Sequence, residues 1–574
     1  MSQGKLSENA IIVAADRYFM RGEDWEAACK RVGYAISACE TAKRAHYADK
    51  YSEMIFNLDF LPGGRILRNS GRAKGSLFNC YVIPIGDSKE EIGKYLCDSF
   101  IVWCDGGGIG ASFSSLRPEG AMVGEDGMSS GPISFLKISN GAAVEIKSGG
   151  SRRAAGLSLL HVDHPDIFKY IDAKADRNAL NCFNLSVGVS EAFLVAVEQD
   201  SDWELRFAQK TYKVVKAREI WHKIMESMVI NDEPGLLNWD NMTKNNSYYY
   251  DPVVCTNPCG EAILEPYGIC NLGSLVLPNF ITGTVNTNWK KLEDTIKLAV
   301  RFLDDVIEAN KYVLKEFDIK AHNSRRIGIG IMGLAEYLFA KGLRYGAPKA
   351  VGEVERLIRF IRDSIYTALV ELADEKGAFP KFDPIQYGKA SFIRKLPAQL
   401  RMDIKDHGVR CVTSMAIAPT GTISLIAGVN SSIEPLFAKA YIRSDRIGDR
   451  MYVHPLYKKM LESNEPIPDW FVDAYDLRPS DHFEIQSVIQ KYVDGAVSKT
   501  INMPKGTTAE QLSRLTLEYI RDLKGVTVYV DGTREDQILT KVEEVEVREY
   551  LKSSESKSDA DIETIKCASG SCEI

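Results

Sequence analysis

Asn257-Pro258-Cys259-Gly260-Glu261, followed by Cys270-Asn271-Leu272-Gly273-Ser274, is the stretch on which the reading of this chain turns. Proline and glycine flank Cys259, so its thiol belongs at a tight turn and not inside a helix or a sheet. A turn can project a thiol into a cavity. Glu261 lies two residues on, close enough to share a substrate, and Asn257 brings an amide that both donates and accepts. The plain alternative is a structural turn with a buried cysteine, and these residues alone leave both readings open.

Around this turn, residues 61–290 alternate glycine clusters with short β-rich runs. Gly63-Gly64 and Gly106-Gly107-Gly108 are such clusters; Cys80-Tyr81-Val82-Ile83-Pro84-Ile85 and Leu185-Ser186-Val187-Gly188-Val189 are such runs. Downstream, Leu292, Ile296, Val300, Leu303 and Ile307 share one face of a helix predicted over 289–312, with Thr287 or Asn288 as its cap. A second long helix is predicted from about 351 to 376, and strand-like runs return near 412–426 and 526–530. Residues 1–58 read as a helical region. Strands alternating with helices over this length make the fold class α/β.

The chain has 574 residues, with 71 Lys+Arg against 78 Asp+Glu, a net charge of −7. That balance argues against holding duplex nucleic acid by bulk charge, while leaving room for pockets that take single phosphates. No run of apolar residues is long enough to span a membrane, and the N-terminus lacks the apolar core of a signal peptide. A cytoplasmic protein follows, and its 12 cysteines then suggest redox or metal chemistry, or small buried hydrophobes.

Three further features carry chemistry. From Arg534 to Lys566 there is no proline or glycine and charge is dense, which reads as a mobile linker. It ends in Cys567-Ala568-Ser569-Gly570-Ser571-Cys572, a pair that can close a disulfide on a flexible tether. Half of a metal site, or an incidental pair of thiols, are the blander readings. Pro419-Thr420-Gly421-Thr422-Ile423-Ser424 offers hydroxyls and backbone donors to a phosphate, although an ordinary capped turn has the same composition. Cys80 on its own reads as a core cysteine, as do Cys29, Cys39, Cys97, Cys104, Cys182, Cys255 and Cys411. His161-Val162-Asp163-His164-Pro165 reads as a structural turn, because Pro165 prevents a helix from presenting both histidines on one face. Neither a dinucleotide fingerprint nor a P-loop is present, and no metal ligand set is assigned.

In combination these pieces resemble the catalytic subunit of ribonucleotide reductase, over about residues 55 to 574. The markers are Asn-Pro-Cys-Gly-Glu at 257–261 with Cys270 beyond it, Phe60-Leu61-Pro62-Gly63-Gly64-Arg65-Ile66-Leu67, Arg326-Ile327-Gly328-Ile329-Gly330, Pro419 to Ser424, Ser432-Ile433-Glu434-Pro435 and the terminal cysteine pair. The resemblance implies a ten-stranded α/β barrel over 59–534 with an internal finger loop carrying Cys259, and a flexible tail over 535–574. It implies that Cys259 becomes a thiyl radical that removes the ribose 3′-hydrogen and that Glu261 is the general base. Asn257 would hold the ribose hydroxyls, and Cys80 and Cys270 would supply two electrons and end as a disulfide. Cys567 and Cys572 would re-reduce that disulfide by exchange and be reset by thioredoxin or glutaredoxin. Thr420 to Ser424 would bind substrate phosphates with help from Gly64. Asp87, Ser88 and the glycine loop at 106–110 would form a site where a deoxynucleoside triphosphate or ATP selects the base, at a homodimer interface.

The class within the family is read from Thr527-Val528-Tyr529-Val530-Asp531. The oxygen-dependent class takes its radical from a separate metal subunit through two adjacent tyrosines. Here the second position is Val530. The broken pair points to the class that uses adenosylcobalamin, and the resemblance implies diphosphates as substrates. The two-subunit class is the runner-up, and a zinc scaffold or a non-catalytic nucleotide-binding protein are remote alternatives. About 55 residues precede the barrel-like region, too few for the family's ATP-binding cone, so no shut-off through a cone is expected.

Overall fold

The computed structural model describes residues 6–148, 152–176, 178–283, 285–445, 448–533 and 539–555. Its N-terminal part is helical: α1 Glu8–Arg17, α2 Trp25–Ile36 and α3 Arg44–Phe56. Ser7 and Asp24 cap the first two by accepting from the amides of Ala10 and Ala27. Helices α2 and α3 meet at Gly33, where a Cβ would lie 2.2 Å from Ser52 Oγ.

Ten strands form one sheet. They are β1 Phe60–Pro62, β2 Cys80–Val82, β3 Gly108–Ser112, β4 Ala155–His161 and β5 Phe183–Val189. The rest are β6 Gly235–Asn238, β7 Ile269–Val276, β8 Ile327–Met332, β9 Thr500–Met503 and β10 Gly525–Val530. The order is β1-β7-β2-β3-β4-β5-β6-β10-β9, with β8 also on β7. Strands β2 to β6 run parallel. This block is flanked by antiparallel junctions, β2 with β7 and β6 with β10. Beyond them β7 pairs parallel with β8, and β10 with β9.

The ten-stranded α/β architecture expected from the resemblance is present, although the strand ladders do not close into a complete ring. Between β8 and the residues leading into β9 lie only two isolated parallel bridges, Ile329 with Met415 and Ile417 with Val497. The strand expected near 412–426 contributes those bridges and then turns into the short helix Ile423–Ala427.

Long helices cover the sheet. The predicted stripe is buried on α4 Trp289–Ala309, where Leu292, Ile296, Val300, Leu303 and Ile307 are each at most 1% exposed and Asn288 caps the start. This helix packs on β7, β8 and α5 Pro348–Lys376.

Residues 435–477 and the described part of 534–574 cluster as a second compact unit. Within it Leu539–Lys541 pairs antiparallel with Ala440–Asp445, which also pairs with Gly448–Val453. Helix Glu544–Glu555 follows, with Val547 fully buried. The linker reading of 534–566 thus gives way over 539–555. A few apolar residues in a charge-rich run, Val542 and Val547 among them, suffice to seat one face. Among the described residues no helix is long and apolar enough to cross a membrane.

Candidate active site

The stretch around Cys259 is a hairpin. Cys255–Thr256 pairs antiparallel with Ile263–Leu264, and the Asn257 amide donates to the Ala262 carbonyl at 3.1 Å. At the tip the Gly260 amide donates to the Asn257 carbonyl at 3.0 Å, a β-turn with Pro258 and Cys259 as its central residues. Cys259 is exposed at this tip, as a projecting thiol requires, whereas Asn257 and Glu261 at the flanks are 1% and 2% exposed.

Glycines make room for the hairpin. A Cβ on Gly110 of β3 would lie 1.7 Å from the Thr256 carbonyl oxygen, and one on Gly108 would lie 3.0 Å from Pro258 Cγ. Asn184 of β5 donates to the Pro258 carbonyl at 3.0 Å, and the Ala496 amide to the Glu261 carbonyl at 2.8 Å. Gly106 ends the preceding helix, Lys89–Asp105, in a left-handed conformation. The 106–110 run expected as part of an effector loop thus also provides a helix end and space for the finger.

Beneath the tip the cysteines converge. Cys80 on β2 and Cys270 on β7 are direct partners across the antiparallel pair, and both are buried. Opposed Cα atoms in such a pair lie about 4.5 or 5.5 Å apart. A disulfide spans about 4.4–6.8 Å, so the register sets this pair within bridging range. Asn257 Nδ2 donates to Cys80 Sγ at 3.1 Å while its Oδ1 accepts from the Ala262 amide at 3.0 Å. The Cys80 thiol faces Glu261 Oε1 at 3.8 Å. Burial raises the Glu261 carboxyl to about 7 and pushes both thiols up, so both cysteines stay protonated at neutral pH. Glu261 Oε2 is buried with no hydrogen-bond partner among the described residues, and so are Asn79 Oδ1 and Thr256 Oγ1. Each such orphan costs about 1–3 kcal/mol unless a ligand satisfies it.

The phosphate-loop candidates assemble nearby in sequence-distant pieces. Thr420 has a positive φ of 56°, its Oγ1 accepts from the Ser432 amide at 2.8 Å, and its carbonyl accepts from the Ser424 amide at 3.0 Å. Ser424 Oγ lies 3.1 Å from Ser431 Oγ. Thr422 Oγ1 lies 2.6 Å from the Tyr18 hydroxyl, and a Cβ on Gly64 would meet that same hydroxyl at 3.0 Å. Gly64 and Thr422 are therefore brought together through a residue the sequence reading had not singled out.

The family model for the ribonucleotide reductase barrel domain matches residues 78–529, and that for the ribonucleotide reductase all-alpha domain matches residues 4–75. This chain belongs to the ribonucleotide reductase family. It is 36% identical to a vitamin B12-dependent ribonucleoside-diphosphate reductase of Thermoplasma acidophilum, over 88% of this chain and 69% of that protein. It is 35% identical to a protein of the same name from Mycobacterium tuberculosis, over 99% of this chain and 83% of that protein. It is 27% identical to the ribonucleoside-diphosphate reductase subunit alpha of Chlamydia trachomatis, over 89% of this chain and 58% of that protein. The match to the all-alpha domain carries the family resemblance into the N-terminal helices, further than the motifs alone reached.

The remaining candidates of this reductase sit apart from the cysteines or outside the described residues. Asp87 is held by Arg117, whose Nε donates at 2.7 Å, and Ser88 caps helix Lys89–Asp105 through the Glu91 amide. Cys567 and Cys572 lie outside the described residues. Tyr529 and Val530 are on β10, and Val530 is buried, its amide donating to Asp232 Oδ1 at 3.0 Å. His164 is a structural residue: its Nδ1 accepts from the Asp166 amide and its Nε2 meets the Leu116 carbonyl at 2.9 Å. Three cysteines read as core, Cys39, Cys97 and Cys104, are instead exposed. Cys97 and Cys104 lie seven apart in helix Lys89–Asp105, which puts them on one solvent-facing side.

Proposed function

We propose that this reductase converts ribonucleoside diphosphates to 2′-deoxyribonucleotides by radical chemistry centred on Cys259, with adenosylcobalamin as the radical source. The observation that carries the reading is the convergence of Asn257, Glu261 and the cross-strand Cys80–Cys270 pair under an exposed thiol. The finger tip is open at Gly260, where a built Cβ would meet no atom within 4 Å, which is compatible with a cofactor approaching from that side. Pro258, Cys259 and Gly260 would border it, with Asn184 fixing Pro258. When bound, adenosylcobalamin supplies the radical that turns the Cys259 thiol into a thiyl. Val530 in place of a second tyrosine favours this source over a separate metal subunit.

The residues then divide the work. The Cys259 thiyl takes the 3′-hydrogen of the ribose and later returns it. Glu261, poised near neutrality, accepts the 3′-hydroxyl proton. Its orphan oxygen and the Asn257 amide orient the ribose. The 2′-hydroxyl leaves as water while Cys80 and Cys270 give up two electrons and two protons and form their disulfide, so the substrate gains what the thiols lose. Cys567 and Cys572 reopen that disulfide by exchange, and thioredoxin or glutaredoxin reduces the tail. Thr420, Gly421, Thr422 and Ser424, with Pro419, Ile423 and Gly64, take the phosphates. Asp87 and Ser88 take a nucleotide effector beside a homodimer face, to which Phe100 and Ile138, both exposed on neighbouring helices, contribute. The dependence of these steps on reduced thiols supports a cytoplasmic location.

The test is an anaerobic assay of the purified chain with CDP, an effector and dithiothreitol, with and without adenosylcobalamin. Deoxycytidine product only with the cofactor is the expected outcome. Product that appears only after a radical-generating subunit is added would transfer the assignment to the two-subunit class.

A further inference from the structure

Tyr18 stands where the N-terminal helices meet the phosphate loop. Its ring is 6% exposed, its hydroxyl lies 2.6 Å from Thr422 Oγ1, and the same ring covers Gly64. Its backbone cannot easily retreat. Arginines bind three successive carbonyls: Arg68 that of Arg17 at 3.5 Å, Arg31 that of Tyr18 at 3.2 Å, and Arg72 that of Phe19 at 3.1 Å. Arg31 is itself fixed by Glu23 at 2.7 Å and by the carbonyl of Ser70 at 2.6 Å. At Gly421, by contrast, a built Cβ would meet nothing within 4 Å. The loop is thus open over Gly421 and closed at Thr422.

We propose that Tyr18 is a specificity-determining residue that sets the length of the phosphate chain this enzyme accepts. A chain entering over Gly421 runs towards Thr422 and is stopped by the clamped phenol. Two phosphates fit, and a third meets the ring. The inference rests on the reading of 420–424 as the substrate's phosphate loop.

Equilibrium binding of CDP and CTP to the full chain, without cobalamin, tests it. Even one surplus methylene in a hydrophobic pocket costs about 10- to 200-fold, and a blocked phosphate is bulkier. Wild type should accordingly prefer CDP by at least about tenfold, and Tyr18→Ala should cut that preference at least fivefold by letting CTP in. Tyr18→Phe keeps the ring, so it should retain the preference while binding CDP about 2- to 10-fold more weakly through the lost hydrogen bond to Thr422. Tyr18→Leu, which keeps an apolar side chain against Gly64, serves if the alanine variant does not fold, and should also relax the preference. Equal affinities in wild type, or a preference unchanged in the folded alanine or leucine variant, would overturn the proposal. Thr422→Ala separates the two readings. If it leaves both nucleotides unaffected, the phosphate-loop reading fails. If it weakens CDP while the Tyr18 variants do not alter the preference, only the role of Tyr18 fails.

Discussion

Replacing Glu261 with glutamine should make this reductase more stable and inactive at once. The side chain is 2% exposed, and burial raises its carboxyl from 4.5 to about 7. Between those values the folded protein holds a proton that the unfolded chain has released. Stability therefore falls as pH rises through this interval, by about 1.4 kcal/mol per pH unit, and the full penalty of about 3 kcal/mol is reached above pH 7. Below about pH 4.5 both states are protonated and the penalty vanishes. Glutamine never ionises. Relative to wild type, Glu261→Gln should thus gain about 3 kcal/mol on going from pH 4.5 to pH 8, with most of the change between pH 5 and 7. Urea unfolding followed by tryptophan fluorescence at pH 5, 6, 7 and 8, on both proteins, reads the difference without substrate, whose own phosphates titrate in this range. Turnover of the variant should drop by about 10²- to 10⁴-fold with the general base gone. A stability difference that is the same at pH 5 and pH 8 would refute the assignment of a buried, upward-shifted carboxyl.

Other perturbations probe separate parts of the site. Cys259→Ser should abolish turnover while CDP binding survives in equilibrium dialysis; repeated turnover in that variant would remove the thiyl from the mechanism. The double change Cys567→Ser with Cys572→Ser should fail with thioredoxin yet keep activity with dithiothreitol, and equal losses with both reductants would mean that the tail carries no electrons. Gly110→Ala places a methyl 1.7 Å from the Thr256 carbonyl. Overpacking of this kind costs about 1–3 kcal/mol or more, so the variant should melt lower and lose activity through a displaced finger; an unchanged Tm would show that the hairpin does not need that space.

Much of the site was legible because its chemistry is local. Asn257, Cys259 and Glu261 fall within one turn, and Pro258 and Gly260 announce that turn. The long helix over 289–309 was legible for the same reason, since its stripe and its Asn288 cap are short-range signals. Cys80 was not. Its partner lies 190 residues away, and only the register of β2 on β7 sets the two thiols face to face. Pattern and propensity report which residues favour a strand, but not which strand lies next to which. Residues 539–555 read as linker because composition weighs every residue in a window equally, while a helix needs only one buried stripe, here including Val547.

The glycines make the same point in reverse. Gly106, Gly107, Gly108 and Gly110 form the densest glycine cluster near the site and invite a ligand-loop reading. Two of them instead leave space for another part of the same chain. A Cβ at Gly110 or Gly108 would press on Thr256 or Pro258, so the finger can lie against β3 only while those positions stay bare. A glycine signals that something approaches closely, and sequence cannot say whether that is a phosphate or a hairpin. Gly421 and Gly64 differ in the same way. Open space faces the first, and the Tyr18 ring covers the second. Where a glycine cluster accompanies a cysteine at a turn, the conformational freedom of the loop is therefore the weaker clue. The stronger one is what fills the space its missing side chains leave, because that contact fixes where the reactive thiol points.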